Sequence, residues 1–286
     1  MDLGFPEYVI GMHIEHDREG RVLKLNQKLY IKNIAEKFGA NNVKPKLMPL
    51  DRNIKFQKDM NSPQTSNPYR ELIGSLLYCI LTRPDVATAV SILARYMEHP
   101  QIAHWNAAIN LLSYLYRTKD KALTFKPDKV ETGYEMEGFT DSSHHNCIDS
   151  AKSRGGFLVL FFKCLISWCS RMQSIVAQSS TEAEYVASND AAKEIVWLRR
   201  MAEELGFKQK ATKLSIDNLS AKSLATTQMT KRLTKHIKLR YHWVREQVAA
   251  GEIYLSYIPT KENLADAMTK IQPRPLFEKF VGEFLS

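Results

Sequence analysis

Ser179-Ser180-Thr181-Glu182-Ala183-Glu184-Tyr185 opens a long helical pattern and carries two carboxylates into its first turn. Counted at about 3.6 residues per turn from Glu184, one apolar stripe runs along the helix. Its members are Ala187, Ala191, Ile195, Leu198, Ala202 and Leu205. Glu182 lies roughly 200° from Glu184 on the helical wheel, so we expect it to be a solvated charge at the helix start. Glu184 faces inward, where a carboxylate usually binds a cation or takes part in chemistry.

The composition indicates a two-domain protein with a sizeable core, since 44% of its 286 residues are apolar. A net charge of +9 favours a polyanionic partner without establishing one. No apolar run approaches the ~20 residues of a membrane span, and the N-terminus lacks a signal-peptide pattern, so a soluble protein is expected. The cysteines contain no CxxC pair, which favours a reduced intracellular setting. They are Cys79, Cys147, Cys164 and Cys169.

The first part of the sequence predicts a β-hairpin followed by helices. Two apolar runs, residues 8–14 and 22–25, flank the turn residues Asp17-Arg18-Glu19-Gly20. Residues 41–68 are polar and lack periodicity, which indicates a loop. Helices are predicted over residues 27–38, over 69–97 with a break at Thr82-Arg83-Pro84-Asp85, and over 101–116.

The second part changes to strands and helices in the order βββαβααβα. The strands are predicted at residues 134–141, 155–162, 164–171, 213–217 and 253–258, and the helices at residues 181–206, 218–227, 236–249 and from 263 onward. This order predicts an α/β fold with a mixed sheet and helices packed on its faces.

Three further acidic residues stand at places where α/β folds put their chemistry. Asp141 is late in the first of these strands, Asp217 ends the fourth, and Asp266 lies on the last helix. If they converge with Glu184, the four like charges repel one another unless cations neutralise them. Hard oxygen ligands select Mg²⁺ or Mn²⁺, and two such ions about 4 Å apart can activate a water against a phosphodiester.

Other interpretations of two of these residues remain open. An Asp directly before a helix, as in Asp217-Asn218, is commonly a helix cap or a turn former. The spacing around Asp266 is that of a solvated surface charge. Spacing therefore does not by itself establish the cluster.

Several motifs carry a resemblance to a known family. In order they are Gly138-Phe139-Thr140-Asp141-Ser142-Ser143, Ile166-Ser167-Trp168, the run from Ser179 to Tyr185, Asp217-Asn218, Thr234-Lys235-His236-Ile237 and Leu264-Ala265-Asp266-Ala267-Met268-Thr269-Lys270. Over residues 136–277 this order and spacing resemble the C-terminal ribonuclease H domain of copia-type LTR-retrotransposon Pol polyproteins. Upstream, Leu72-Ile73-Gly74-Ser75-Leu76-Leu77-Tyr78 and His104-Trp105 resemble the segment that joins reverse transcriptase to ribonuclease H.

The resemblance implies a ribonuclease H-like mixed five-stranded sheet flanked by helices over residues 126–286. It also implies a mostly helical region at residues 1–125, derived from the end of reverse transcriptase and the connection. Its expected reaction is two-metal-ion cleavage of the RNA strand of RNA–DNA hybrids, with two Mg²⁺ ions, or Mn²⁺, as cofactor. The implied catalytic and metal-binding residues are Asp141, Glu184, Asp217 and Asp266.

The resemblance also implies the partners and the setting. Besides the hybrid, other Pol and Gag products of the element are expected partners, and no membrane is. The expected compartment is the cytoplasm, inside virus-like particles, or the nucleus. Ser180 and Asn218 are candidates for contacts to 2′-hydroxyl groups, with helix capping as the alternative.

Two of the chain's departures from the family pattern bear on its activity. Asp141-Ser142-Ser143-His144 stands where the pattern reads Asp-Ala-Asp-Trp, so a second acidic residue and an aromatic one are replaced. No Tyr-Xaa-Asp-Asp motif occurs, so a truncated Pol fragment without polymerase activity is expected. These departures motivate a second hypothesis, a catalytically decayed nucleic-acid-binding relic.

A basic stretch is the predicted phosphate-contacting surface. It consists of Lys231, Arg232, Lys235, Lys238 and Arg240. A solvated helix face is an equally good interpretation of these charges. His144, His145 and Cys147 lie close together in sequence, but no second ligand pair follows at zinc spacing, which argues against structural zinc.

Overall fold

The computed structural model describes residues 4–127, 135–145, 147–226 and 243–286. It divides the chain into two compact units, one of residues 1–126 with 271–286 and one of residues 127–270. The C-terminal segment therefore groups with the first unit, although the sequence places it in the domain of residues 126–286.

The described strands and helices of the second unit follow the order expected from the sequence as far as the strand Ile253–Tyr257, whereas the strand Leu123–Phe125 was not predicted. The strands are β1 (Tyr8–Val9), β2 (Met12–Asp17), β3 (Val22–Asn26), β4 (Leu123–Phe125), β5 (Met136–Ser143), β6 (Arg154–Phe161), β7 (Cys164–Met172), β8 (Thr212–Ile216) and β9 (Ile253–Tyr257). The helices are α1 (Lys28–Lys37), α2 (Tyr69–Cys79), α3 (Ala87–Leu93), α4 (Ile102–Arg117), α5 (Ser180–Glu204), α6 (Leu219–Thr226), α7 (Trp243–Ala249) and α8 (Arg274–Phe284). Of the helix predicted over residues 236–249, the part before residue 243 lies outside the described residues. None of the described helices is both long enough and apolar enough to cross a membrane.

The first unit combines a four-stranded antiparallel sheet, in the order β1-β2-β3-β4, with helices. The predicted hairpin is confirmed, with Asp17 paired to Val22 beside the turn. Helix α8 joins this unit because its apolar face packs here. The ring of Phe277 meets that of Tyr114 edge to face at 5.8 Å, and Leu285 bridges to Leu123. The grouping of α8 with the first unit therefore depends on contacts between residues that are far apart in sequence.

The break in the helical pattern at Thr82-Arg83-Pro84-Asp85 has a structural role in the first unit. The Arg83 side chain is fully buried and forms a two-pronged ion pair with Asp85, at 2.7 and 2.9 Å. Tyr114 donates its hydroxyl to the same carboxylate at 2.6 Å, and Arg83 also reaches the carbonyl of Thr118. A buried charge needs such partners, so this motif is explained by the packing of α4 against the break.

The second unit contains the predicted mixed five-stranded sheet, in the order β7-β6-β5-β8-β9. Strands β5, β6 and β7 pair antiparallel, whereas β8 and β9 run parallel to β5. Helix α5 crosses one face of this sheet, where Ile195 lies directly over Gly138. A Cβ at Gly138 would come within 2.5 Å of the Ile195 side chain, so the glycine allows the helix its close approach.

Helix α5 buries most of the stripe read from the sequence. Ala187, Ala191, Ile195, Leu198 and Ala202 are all buried. Leu205 is not, being 69% exposed, because the helix ends at Glu204 and turns away at Leu205.

The prediction of an α-helix from residue 263 onward is wrong. Residues Leu264–Met268 form a short 3₁₀ turn, and the next α-helix, α8, belongs to the first unit. Asn263 fixes the start of the turn, since its side chain accepts from the N–H of Ala265 and donates to the carbonyl of Thr140 at 2.9 Å. The turn lies against β6 at Gly156, where a Cβ would come within 2.4 Å of Met268.

Substitution Gly156→Ala is expected to destabilise the second unit by about 1–3 kcal/mol, because the added methyl forces the 3₁₀ turn away from β6. Urea unfolding monitored by circular dichroism measures this loss. Gly74→Ala is the matched control, since a Cβ at this position within α2 meets nothing within 4 Å. An alanine there should leave stability unchanged or raise it by up to about 1 kcal/mol. Equal effects at the two positions would contradict the close approach at Gly156.

Candidate metal centre

Two parallel strands bring the first two acidic side chains together. Phe139 of β5 is in register with Ser215 of β8, and two residues farther along the strands stand Asp141 and Asp217. Helix α5 begins beside this end of the sheet and adds Glu184. Carboxylate oxygens of Asp141, Glu184 and Asp217 all lie within 4.8 Å of one another. Within the described ranges, no other group of three potential metal ligands comes this close.

Glu184 is held on one side and has an unused oxygen on the other. Its side chain is buried, and its Oε1 accepts from the backbone N–H and from the hydroxyl of Ser142, each at 3.0 Å. Its Oε2 is buried without a hydrogen-bond partner among the described residues. Burial, then repulsion by Asp141 and Asp217, raises the pKa of Glu184 to about 9, against the two Ser142 hydrogen bonds. A carboxylate in this state attracts either a proton or a metal ion.

Asp141 is almost fully buried at 1% exposure, and burial raises its pKa to about 6. Two neighbours oppose that rise. The ammonium group of Lys270 lies 3.6 Å from the Asp141 Oδ2, and the hydroxyl of Thr269 donates to the same oxygen. Repulsion from Asp266 and Asp217 acts in the same direction as burial.

Asp266 lies next to the three clustered carboxylates but is not a member of their group. Its Oδ1 contacts the ammonium of Lys270, four residues later, so one lysine lies between Asp266 and Asp141. The Asp266 side chain is only 20% exposed, so it is not the solvated surface charge that spacing alone allowed. The four-carboxylate set thus stays a prediction, with three members together and the fourth joined to them through Lys270.

Glu182, expected to be solvated, is instead buried at 4% exposure. Its Oε2 accepts from the N–H of Gln178, in the loop before the helix, while its own N–H donates to the Ser179 side chain. This reciprocal capping holds the carboxylate against the helix start and explains why the expectation was wrong.

The predicted nucleic-acid contacts divide into two groups. Ser180 is exposed as the first residue of α5, and the cap of that helix is Ser179 rather than Ser180. The Asn218 Oδ1 accepts from the N–H of Ala221 at 2.9 Å and so caps α6. The five basic residues of the predicted phosphate-contacting surface lie outside the described residues: Lys231, Arg232, Lys235, Lys238 and Arg240.

Three supporting residues were not identified from the sequence as parts of the site: Ser142, Thr269 and Lys270. The spacing of Asp266 and Lys270, four apart, is the usual spacing of an ion pair within a helical turn and could have indicated the lysine. No sequence pattern indicated the role of Ser142, because that role depends on which helix lies beside the end of β5.

The donor set fits a hard divalent cation. All three clustered side chains offer carboxylate oxygens, and the Oε2 of Glu184 is buried with no hydrogen-bond partner among the described residues. Oxygen-only ligands at this separation suit Mg²⁺ or Mn²⁺ and do not suit Zn²⁺, which prefers nitrogen and sulfur.

Comparison with known proteins places this geometry in a family context, although no family model matches the chain. The retrovirus-related Pol polyprotein from transposon TNT 1-94 of Nicotiana tabacum is 39% identical over 287 residues, covering 97% of this chain and 21% of that polyprotein. The one from transposon RE2 of Arabidopsis thaliana is 31% identical over 275 residues, covering 96% and 18%. The chain therefore spans about a fifth of the length of these curated relatives.

Among solved structures, the crystal structure of LC11-RNase H1 in complex with RNA/DNA hybrid is similar over 47% of this chain and 94% of its own. The sequence identity there is 13% and the TM-score is 0.36. The family assignment rests on the sequence relatives. Over the segment that it matches, the chain belongs to the family of copia-type transposon Pol polyproteins.

Proposed function

We propose that the second unit is a Mg²⁺-dependent ribonuclease that cleaves the RNA strand of RNA–DNA hybrids. The observation that carries the proposal is the group of Asp141, Glu184 and Asp217, of which the first two are buried and one Glu184 oxygen has no hydrogen-bond partner among the described residues. A fold has no structural use for three carboxylates within 4.8 Å of one another, since their repulsion and desolvation both cost stability. Such a cost is typical of functional sites.

The substrate class follows from the family resemblance and from charge. The motifs around the three carboxylates are those that resemble the ribonuclease H domain of copia-type Pol polyproteins, and relatives of that kind match most of the chain. A net charge of +9 suits a polyanionic substrate. Because the chain spans only part of these relatives, the proposal concerns this unit and not the activity of a whole polyprotein.

The side chains of the site have distinct roles in this proposal. Asp141, Glu184 and Asp217 would hold the Mg²⁺, whose chemistry when bound is to activate water and to stabilise charge on a phosphodiester. Ser142 fixes the rotamer of Glu184 through two hydrogen bonds, and Thr269 orients Asp141. The carboxylates are thus preorganised before a substrate arrives, which reduces the reorganisation that the reaction requires.

Substitution Glu184→Gln is expected to abolish Mg²⁺-dependent cleavage of the RNA strand, because a neutral amide no longer attracts the cation. Incubation of the purified chain with an end-labelled RNA–DNA hybrid, followed by gel analysis, measures this. Loss of a metal ligand should reduce the rate by roughly 100-fold or more.

Glu182→Gln is the matched control for this assay. Glu182 is the same residue type, on the same helix turn and equally buried, but it caps the helix and lies outside the group of three. It should keep most of the activity. The proposal is refuted if the Glu184→Gln variant cleaves the hybrid as fast as the wild type does. It is also refuted if the wild type does not cleave the hybrid at all.

The raised pKa values predict a pH-dependent response to Mg²⁺. The pKa of Asp141 rises from 3.8 to about 6 and that of Glu184 from 4.5 to about 9, so in the absence of metal the folded chain binds protons more tightly than the unfolded one. The stabilisation by protons is therefore complete in acid and is lost as the pH rises through these values.

Mg²⁺ competes with those protons, so its stabilising effect should increase from pH 6 to pH 9. Thermal melting with and without Mg²⁺ measures the difference in Tm at each pH. Glu184→Gln should melt higher than the wild type in chelator at alkaline pH, since one repulsive charge is gone. A Tm shift by Mg²⁺ that does not depend on pH would count against metal binding at these carboxylates.

A further inference from the structure

Lys270 is placed as a cation inside the acidic site. Its ammonium group contacts the Oδ1 of Asp266 and lies 3.6 Å from the Oδ2 of Asp141, so it bridges the group of three carboxylates to the fourth acidic residue. The Lys270 side chain is 41% exposed, so part of it borders solvent.

The contacts around Lys270 make it the counter-ion of one side of the site only. Asp141 offers Oδ2 to Lys270 and to the hydroxyl of Thr269. Among the described residues, Glu184 receives hydrogen bonds from Ser142 alone, and its Oε2 has no partner. One edge of the acidic group is thus neutralised by the protein itself, and the edge at Glu184 is not.

The neighbouring carboxylates hold the lysine in its charged form. Burial lowers the pKa of Lys270, but attraction to Asp141 and Asp266 outweighs burial, and the net pKa lies above its usual value. An ammonium group that lies 3.6 Å from the Asp141 Oδ2 and contacts Asp266 competes with a second cation for these oxygens on electrostatic grounds.

We propose that Lys270 is a displaceable internal counter-ion that occupies the cation position between Asp141 and Asp266. One divalent ion then binds without displacing it, and a second binds only when the Lys270 ammonium moves away from these carboxylates. The inference rests on the proposed metal-dependent function and adds to it a residue that sets the second ion's affinity. Lys270 is accordingly a positioning residue, which acts through the carboxylates and the cations that they hold.

The first test is a binding measurement on the full chain with Mn²⁺ alone, in which electron paramagnetic resonance counts the free ion. The wild type should bind one ion tightly and a second one weakly. Lys270→Met, which keeps the apolar stem and removes the charge, should tighten the second binding by roughly tenfold or more. Lys270→Arg should resemble the wild type, because the charge remains.

Lys163→Met is the matched control. Lys163 is an exposed lysine in the same unit that pairs with Glu137 at 3.2 Å, so its loss changes the net charge equally without touching the site. If Lys270→Met and Lys163→Met give the same isotherm, the inference is wrong while the proposed metal site stands. If the wild type binds no Mn²⁺ at all, both the inference and the proposed function are wrong.

A second test uses the wild-type chain and does not depend on whether a variant folds. Reductive methylation of lysines, read by mass spectrometry, should modify Lys270 faster when Mg²⁺ is saturating than in chelator, because the displaced ammonium becomes accessible. The rate at Lys163 should not change. Equal labelling of Lys270 with and without Mg²⁺ would overturn the proposal.

Discussion

The repulsion among three clustered carboxylates, two of them buried, is the constraint to which the second unit is adapted. Asp141, Glu184 and Asp217 hold oxygens within 4.8 Å of one another, and Asp141 and Glu184 have lost nearly all contact with water. The raised pKa values of Asp141 and Glu184 express this cost directly. A site of this kind is stable only while protons, a lysine or metal ions balance its charge.

The scaffold keeps these groups in place from three directions. Parallel pairing of β5 with β8 fixes Asp141 beside Asp217, and the length of α5 across the sheet anchors the end that carries Glu184. The third direction is the 3₁₀ turn, which Asn263 ties to β5 and which rests on a glycine of β6. Since each contact is made by a rigid element, the acidic side chains cannot simply move apart to relieve their repulsion.

The differences between expectation and structure have specific physical reasons. Glu182 was expected in solvent because the helical wheel gives a direction and not a surrounding, and the loop before α5 folds over it. Asp266 has the spacing of a surface charge, yet Lys270 draws it toward the buried group. The segment 271–286 continues the chain beyond the site but packs its phenylalanines in the other unit.

Local pattern was sufficient for much of what depends on neighbours along the chain: most of the helices and strands, the mixed sheet of an α/β fold, and the inward direction of Glu184. Periodicity of apolar residues carries that information because each element must bury one face. The convergence of Asp141, Glu184 and Asp217, the support from Ser142 and Thr269, and the bridge by Lys270 were decided only by tertiary structure. These contacts join residues up to 129 positions apart, from Asp141 to Lys270, and no local preference specifies which distant side chains meet.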